Sequence, residues 1–158
     1  MKENIVFDYL LTNAWGLPLC RVSVSEDGMV QYQNGRDEEH SLKLEKVEIE
    51  KIKEIVSRHS QILDYKSQEL ESPDVLDGVM NFFDFKASDG RNVSLMAFNI
   101  GEANNPDMSF SKGLLEEKTP GEIVIPVKAR EVVKAFEEIA AVLVANGVDA
   151  QYLRLTYA

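Results

Sequence analysis

Apolar and polar residues alternate along two stretches of the chain, and an Asp-Gly pair interrupts each stretch. The pairs are Asp27-Gly28 and Asp89-Gly90. An Asp-Gly pair between alternating runs is a strong signal of a β-hairpin, because glycine tolerates the positive φ that such loops need. The pattern therefore predicts two hairpins, spanning about residues 19–33 and 79–99.

The register of the first hairpin follows from placing its apolar side chains on one face. A three-residue loop, 26–28, pairs Val24 with Val30 and Val22 with Tyr32. A two-residue loop would leave apolar residues on both faces, without a core side. We therefore predict the three-residue loop, with its glycine in the left-handed conformation.

The second hairpin has an apolar inner face when its loop also has three residues, 88–90. The predicted inner pairs are Phe85 with Val93, Phe83 with Leu95, and Asn81 with Ala97. Two separate places in the chain thus favour the same loop length, which supports the register at each.

The outer face of the second hairpin is half apolar. Phe82 falls opposite Met96 and Met80 opposite Phe98, while Asp84 with Ser94 and Lys86 with Asn92 occupy the turn end. A solvent-facing antiparallel sheet ordinarily alternates apolar and polar residues. These four apolar side chains are therefore either covered by the N-terminal segment or a long loop, which we expect, or exposed as a patch.

Further strands are predicted near both ends of the chain. Residues 4–11 alternate, with Ile5, Phe7, Tyr9 and Leu11 on one side. Residues 123–127 have the pattern of a short strand, and the tail alternates at Leu153, Leu155 and Tyr157 as a closing strand would. Between the first hairpin and the first helix lie a charged stretch and a short segment with Leu42 and Leu44.

Two segments have the apolar period of amphipathic helices. The first stripe contains Ile49, Ile52, Val56, His59 and Leu63, and the second contains Val132, Val133, Phe136, Ile139, Ala140 and Leu143. Asn146-Gly147 predicts the end of the second helix. Its last turn is apolar almost all round, through Ala141, Val142 and Val144, so we expect that end to be well buried.

Together these elements predict an α+β fold, built mainly on an antiparallel sheet of two β-hairpins with two amphipathic helices packed on one face. Predicted strands outnumber predicted helices. The sequence lacks the alternation of strand and helix, with a phosphate loop, that is typical of a doubly wound sheet. The length of 158 residues suits a single globular domain, 1–158.

Net charge, the length of apolar runs and cysteine content bear on the expected partners and location of the protein. The net charge of −10 weighs against nucleic acid and anionic membrane surfaces, since both would repel the chain. No apolar run approaches the roughly 18 residues of a membrane span, and the start of the chain has no signal-peptide pattern. The lone Cys20 forms no internal disulfide and is expected to be buried. We therefore expect a cytoplasmic protein.

The sequence contains no recognisable catalytic motif. It has two histidines: His59 falls on a helical stripe, as a packed or capping residue would, and His40 lies in a charged segment. No Cys or second His stands at zinc-ligand spacing, and no phosphate loop or nucleophile elbow is present. We assign no catalytic, cofactor-binding or metal-binding residue and no cofactor.

Two acidic loops provide the alternative hypothesis, a small hydrolase or ligand-binding enzyme. One loop carries Glu69, Glu71, Asp74 and Asp77, and the other carries Glu102, Asn104, Asn105 and Asp107. Their oxygens are the ligands that divalent cations such as calcium take, but neither loop has the spacing of a helix-loop-helix calcium site. In this hypothesis Asp74, Asp77 or Asp107 acts as ligand or base under the long loops.

The leading hypothesis is a noncatalytic acidic binding domain, either homodimeric or neutralising a basic protein partner. Its interface would use the outer face of the second hairpin, at Met80, Phe82, Met96 and Phe98. Trp15 is a further candidate because tryptophan is enriched at binding hot spots. The other reading of Trp15, which we favour, is an indole that folds back over the end of the sheet.

Overall fold

Six strands and two α-helices are present in the described residues of the computed structural model, which are 4–13, 15–35, 37–70, 79–98 and 126–153. The strands are β1 (Ile5–Thr12), β2 (Pro18–Ser25), β3 (Met29–Asn34), β4 (His40–Lys43), β5 (Met80–Lys86) and β6 (Asn92–Phe98). The helices are α1 (Lys46–Arg58) and α2 (Val127–Ala145), and 3-10 turns span Ser60–Asp64, Ser67–Leu70 and Ala150–Leu153. The strands form one antiparallel sheet in the order β4-β3-β2-β1-β5-β6. The predicted α+β class is confirmed.

Both predicted hairpin registers are confirmed. In the first hairpin Val24 pairs with Val30 and Val22 with Tyr32. In the second, Phe82 pairs with Met96, and every other predicted pair is also present. Gly28 and Gly90 both have positive φ, at 93° and 89°, as a three-residue loop requires at its last position.

The first strand departs from its predicted alternation at one residue. Ile5 pairs with Ser25 and Phe7 with Val24, so Val6 is an extra residue in a β-bulge. Val6 and Phe7 are both buried, whereas Ile5 is half-buried and lies with the residues of the opposite face. The prediction that Ile5 shares the face of Phe7 is therefore wrong, because the bulge reverses the alternation.

The helices cover one face of the sheet, as predicted, and Phe136 of α2 lies at the centre of the core. Its ring centroid is 4.7 Å from that of Tyr9, 5.8 Å from that of Phe83 and 5.9 Å from that of Phe7. These three rings belong to β1 and β5, which pair with each other in the middle of the sheet. Aromatic packing between α2 and the middle of the sheet thus holds the two layers together.

A buried hydrogen bond accompanies this aromatic core. The Tyr9 hydroxyl donates to Asn81 Oδ1 at 3.0 Å, and Asn81 Nδ2 donates to the carbonyl oxygen of Ala97 at 3.3 Å. Burial raises the pKa of Tyr9, which keeps its hydroxyl protonated as a donor. Asn81, predicted on the inner face, is fully buried and its polarity is matched.

Three other predictions differ from the structure. The end of α2 is buried on one side only: Leu143 is fully buried, but Ala141 is exposed and Val144 is 44% exposed. Leu153 lies in a 3-10 turn rather than a strand, and residues 154–158 lie outside the described residues. In place of the predicted short strand at 123–127, Val127 begins α2, and residues 123–125 lie outside the described residues.

The edge strand β4 was not predicted. It has four residues, three of them exposed, so its sequence shows little apolar alternation. Its position depends on tertiary pairing with β3, in which Leu42 lies beside Val30. Cys20, by contrast, is buried on β2 as predicted.

Candidate functional site

The face of the sheet opposite the helices carries the candidate site, and we call it the open face. Its side chains alternate with the core residues along each strand. Among the described residues it has a polar half on β2, β3 and the start of β1, and an apolar half on β5 and β6. Asp8 and Asp84 lie between the two halves, because they pair across β1 and β5.

Asp8 and Asp84 have different polar partners. Arg21 donates to both carboxylate oxygens of Asp8, from Nε at 3.3 Å and from Nη2 at 2.9 Å. These hydrogen bonds raise the pKa of Arg21 and outweigh the effect of its partial burial. Asp84 accepts a hydrogen bond from the hydroxyl of Ser94, its predicted cross-strand neighbour. Only one of the two facing carboxylates therefore has an arginine bonded to it.

The apolar half of the open face contains three of the four predicted interface side chains of the second hairpin. Phe82 is 37% exposed, and Met80, Met96 and the neighbouring Leu10 are half-buried. The expected covering by the N-terminal segment is wrong for residues 5–12, which form β1 within the sheet. The long loop at 101–121, the other expected cover, lies outside the described residues. For Phe98 the structure describes the backbone, which pairs with Met80.

Described residues line two depressions on the open face. The larger, of about 830 Å³, is lined on its charged side by four acidic side chains and one basic side chain, Asp8, Asp27, Glu39, Asp84 and Arg21. The smaller, of about 280 Å³, lies between Leu10, Phe82, Met96 and Asp84. The open face thus combines acidic character with exposed apolar surface.

Trp15 lies in a hydrogen-bonded turn at one end of this sheet. Its side chain is 89% exposed, so the expectation that the indole folds back over the sheet is wrong. Asn13 Oδ1 accepts hydrogen bonds from the backbone N–H groups of Trp15 at 2.9 Å and Leu17 at 3.0 Å. In this Asx-type turn the Trp15 side chain lies away from the core. The turn lies at the end of β1 that pairs with Met80.

A cluster of charged side chains lies between α1 and α2, away from the open face, and has a structural role. His59 is the C-cap residue of α1, which fits the prediction of a packed or capping histidine. Its Nδ1 lies 3.0 Å from a carboxylate oxygen of Glu131, and its Nε2 is hydrogen-bonded to Glu138. Arg58 donates to Glu138 at 3.0 Å. The cluster connects the end of α1 to α2.

Raising the pH should weaken this connection. Partial burial lowers the pKa of His59, but its hydrogen bonds with Glu131 and Glu138 outweigh burial, so the net pKa is raised above 6.5. Its contribution to stability is complete below pH 6.5 and is lost as pH rises through the raised pKa. We expect a loss of about 1 kcal/mol or less by about pH 8.5, because Glu138 is partly exposed.

Urea unfolding at about pH 6 and pH 8.5 measures this effect. His59→Gln should reduce the difference in unfolding free energy between the two pH values, while His40→Gln, which removes the other histidine, should retain it. An unchanged pH difference in His59→Gln would refute the interpretation.

The two acidic loops of the enzyme hypothesis lie mostly outside the residues that the structure describes. Asp74, Asp77 and Asp107 lie in the ranges 71–78 and 99–125, which the structure does not describe. Glu69, which is described, is bonded to Lys128 and to the backbone N–H of Lys66. Within the described ranges, no three His, Cys, Asp or Glu side chains are arranged to hold a metal ion.

No protein-family model matches the chain, and no curated protein matches it. Among the helices of the described residues, none has the length and apolarity needed to cross a membrane.

Sequence reasoning missed three residues of the open face: Asp8, Leu10 and Arg21. Their types carry no motif, and their proximity to Asp84 and Phe82 depends on the pairing of β1 with both β2 and β5. The one available signal was the alternation of β1, which places Asp8 and Leu10 opposite its apolar side.

Proposed function

We propose that this protein is a noncatalytic binding domain whose open face binds a basic protein partner. The observation that carries the proposal is the exposed Phe82 beside the facing carboxylates of Asp8 and Asp84. Exposed apolar surface bordered by charged side chains is typical of protein interfaces. The excess of acidic over basic side chains around the larger depression supports a partner of opposite charge.

Self-association through this face is less well supported. A two-fold dimer would place the same surface of each copy against itself. The four acidic side chains around the depression would then face their own copies with one arginine to compensate, and like-charge contacts weaken association. A basic partner avoids this repulsion.

A small-molecule site is also less well supported on this face. Ligand pockets are lined mainly by apolar and aromatic side chains. Most of the residues around the larger depression are polar, among them Ser23, Gln31 and Gln33. The smaller depression has an apolar lining but, at about 280 Å³, lies below the usual range of roughly 300–1,000 Å³.

Site-specific photo-cross-linking in cells tests the proposal. p-Benzoylphenylalanine at position 82 should give an adduct with a basic protein, because Phe82 lies in the proposed interface. The same group at Val47, which is 55% exposed on α1, should not give that adduct. An equal adduct at both positions, or none at position 82, would refute the proposal.

Light scattering on the purified protein separates the homodimer from the heteromeric form. We expect the mass of one chain. A dimer that Phe82→Asp or Met96→Lys converts to monomer would instead assign the open face to self-association and overturn the proposed partner.

A further inference from the structure

The apolar half of the open face ends at an acidic group. Phe82 and Asp84 are two residues apart on β5, so they lie on the same face about 7 Å apart along the strand. Phe82 pairs with Leu10 of β1 on one side and with Met96 of β6 on the other. The result is an apolar strip across three strands, with the Asp84 carboxylate at its border.

Asp84 lies near one cation of the described residues, Arg21, but is not bonded to it. Among the described residues, no lysine or arginine nitrogen forms an ion pair with it; its hydrogen-bond partner is the Ser94 hydroxyl. Arg21 is close enough to be influenced by Asp84, but its guanidinium is bonded to Asp8 through two nitrogens. Asp8 and Asp84 are direct cross-strand neighbours, and such like charges destabilise a sheet. A further cation here would relieve that repulsion.

The shape and chemistry of the strip match one long basic side chain. Lysine and arginine have an apolar stem and a charged end, and the stem packs on apolar surface while the charge stays near water. Arginine fits better, because its planar guanidinium stacks on aromatic rings and bonds a carboxylate through two N–H groups. The smaller depression, of about 280 Å³ between Phe82, Met96 and Asp84, offers space for such a side chain.

We propose that the basic partner places an arginine side chain on this strip, with its stem across Phe82 and its guanidinium at Asp84. This inference rests on the proposed function, since it names the chemistry of the partner at the same face. The occupant is a protein side chain, and its recognition is by charge at Asp84 and by apolar contact at Leu10, Phe82 and Met96.

Nuclear magnetic resonance with a model side chain is the first test. The probe is N-acetyl-arginine methylamide, compared with the neutral citrulline analogue of the same shape. In protein with labelled Leu and Met methyl groups, the arginine probe should shift Leu10 and Met96 in a saturable way, and Met29 at the far side of the open face should not shift. Binding of the citrulline analogue should be about threefold weaker or more.

The matched variants are Asp84→Asn and Asp89→Asn. Asp89 lies in the exposed turn of the same hairpin and is bonded to Arg91, so its replacement changes the net charge equally without touching the strip. Asp84→Asn should abolish the preference for arginine over citrulline, and Asp89→Asn should retain it. Equal binding of the two probes to the parent protein, or no saturable shift at Leu10 and Met96, would overturn the inference.

The photo-adduct from position 82 separates this inference from the proposed function. Its yield should fall about fivefold in Asp84→Asn and stay unchanged in Asp89→Asn. An adduct that Asp84→Asn leaves unchanged overturns the arginine assignment and leaves the binding function in place. Absence of any adduct at position 82 overturns the binding function itself.

Discussion

Replacing Phe136 with alanine is expected to lower the free energy of unfolding by about 3–5 kcal/mol. Phe136 is 1% exposed, and its ring packs against Phe7, Tyr9 and Phe83. The substitution removes the buried ring and leaves a cavity where α2 meets the middle of the sheet. Because a domain of this kind has a total stability of about 5–15 kcal/mol, this single change would remove much of it.

Urea unfolding followed by circular dichroism gives the free energies, with Phe82→Ala as the matched control. Phe82 is also a phenylalanine of the sheet region, but it lies on the open face and is partly exposed. We expect its loss to cost about 1–2 kcal/mol, since more than a third of its surface is already exposed to solvent. Equal destabilisation by the two variants would contradict the assignment of Phe136 to the core and Phe82 to a binding surface.

Gly28→Ala is expected to destabilise the protein by about 2–5 kcal/mol, from two causes. The φ of 93° is strained for any residue with a Cβ, at a cost of roughly 1–2 kcal/mol. A Cβ at this position would also lie 2.4 Å from the backbone oxygen of Leu44. Gly28 O accepts a hydrogen bond from Leu44 N at 2.8 Å, so the backbone segments cannot separate without losing it. Overpacking of this kind adds about 1–3 kcal/mol.

Gly90→Ala isolates the contribution of the close contact. Gly90 occupies the same position in the second hairpin loop with a φ of 89°, and an added Cβ there would meet no atom within 4 Å. We therefore expect only the conformational cost, about 1–2 kcal/mol. In thermal and urea unfolding, Gly28→Ala should be less stable than Gly90→Ala. The reverse order would show that the contact between the first loop and Leu44 is not a constraint on the fold.

The hairpins show how far local sequence patterns determined the fold. Each three-residue loop and each cross-strand pair followed from the position of an Asp-Gly turn and the alternation around it, because both are short-range constraints. The two helices followed from their period for the same reason. The flip of Ile5 was not predictable in this way, since a bulge at Val6 depends on how β1 fits β2.

Burial at the edges of the fold also depended on more than composition. The apolar last turn of α2 predicts burial all round, yet Val144 is 44% exposed while Leu143 beside it is fully buried, because only one side of the helix faces the core. Trp15 is exposed although tryptophan is usually well buried. Its turn is fixed by hydrogen bonds to Asn13, which hold the backbone and leave the indole outside.

By itself the sequence determined the α+β class, both hairpin registers and the half-apolar outer face of the second hairpin. Only the tertiary structure decided that β1 lies between the two hairpins, and this pairing brings Asp8 with its Arg21 partner beside Asp84, and Leu10 beside Phe82. The physical reason is that a strand pattern specifies which side chains share a face, but not which other strand lies next to it. The open face, and the binding role proposed for it, exist only through that pairing.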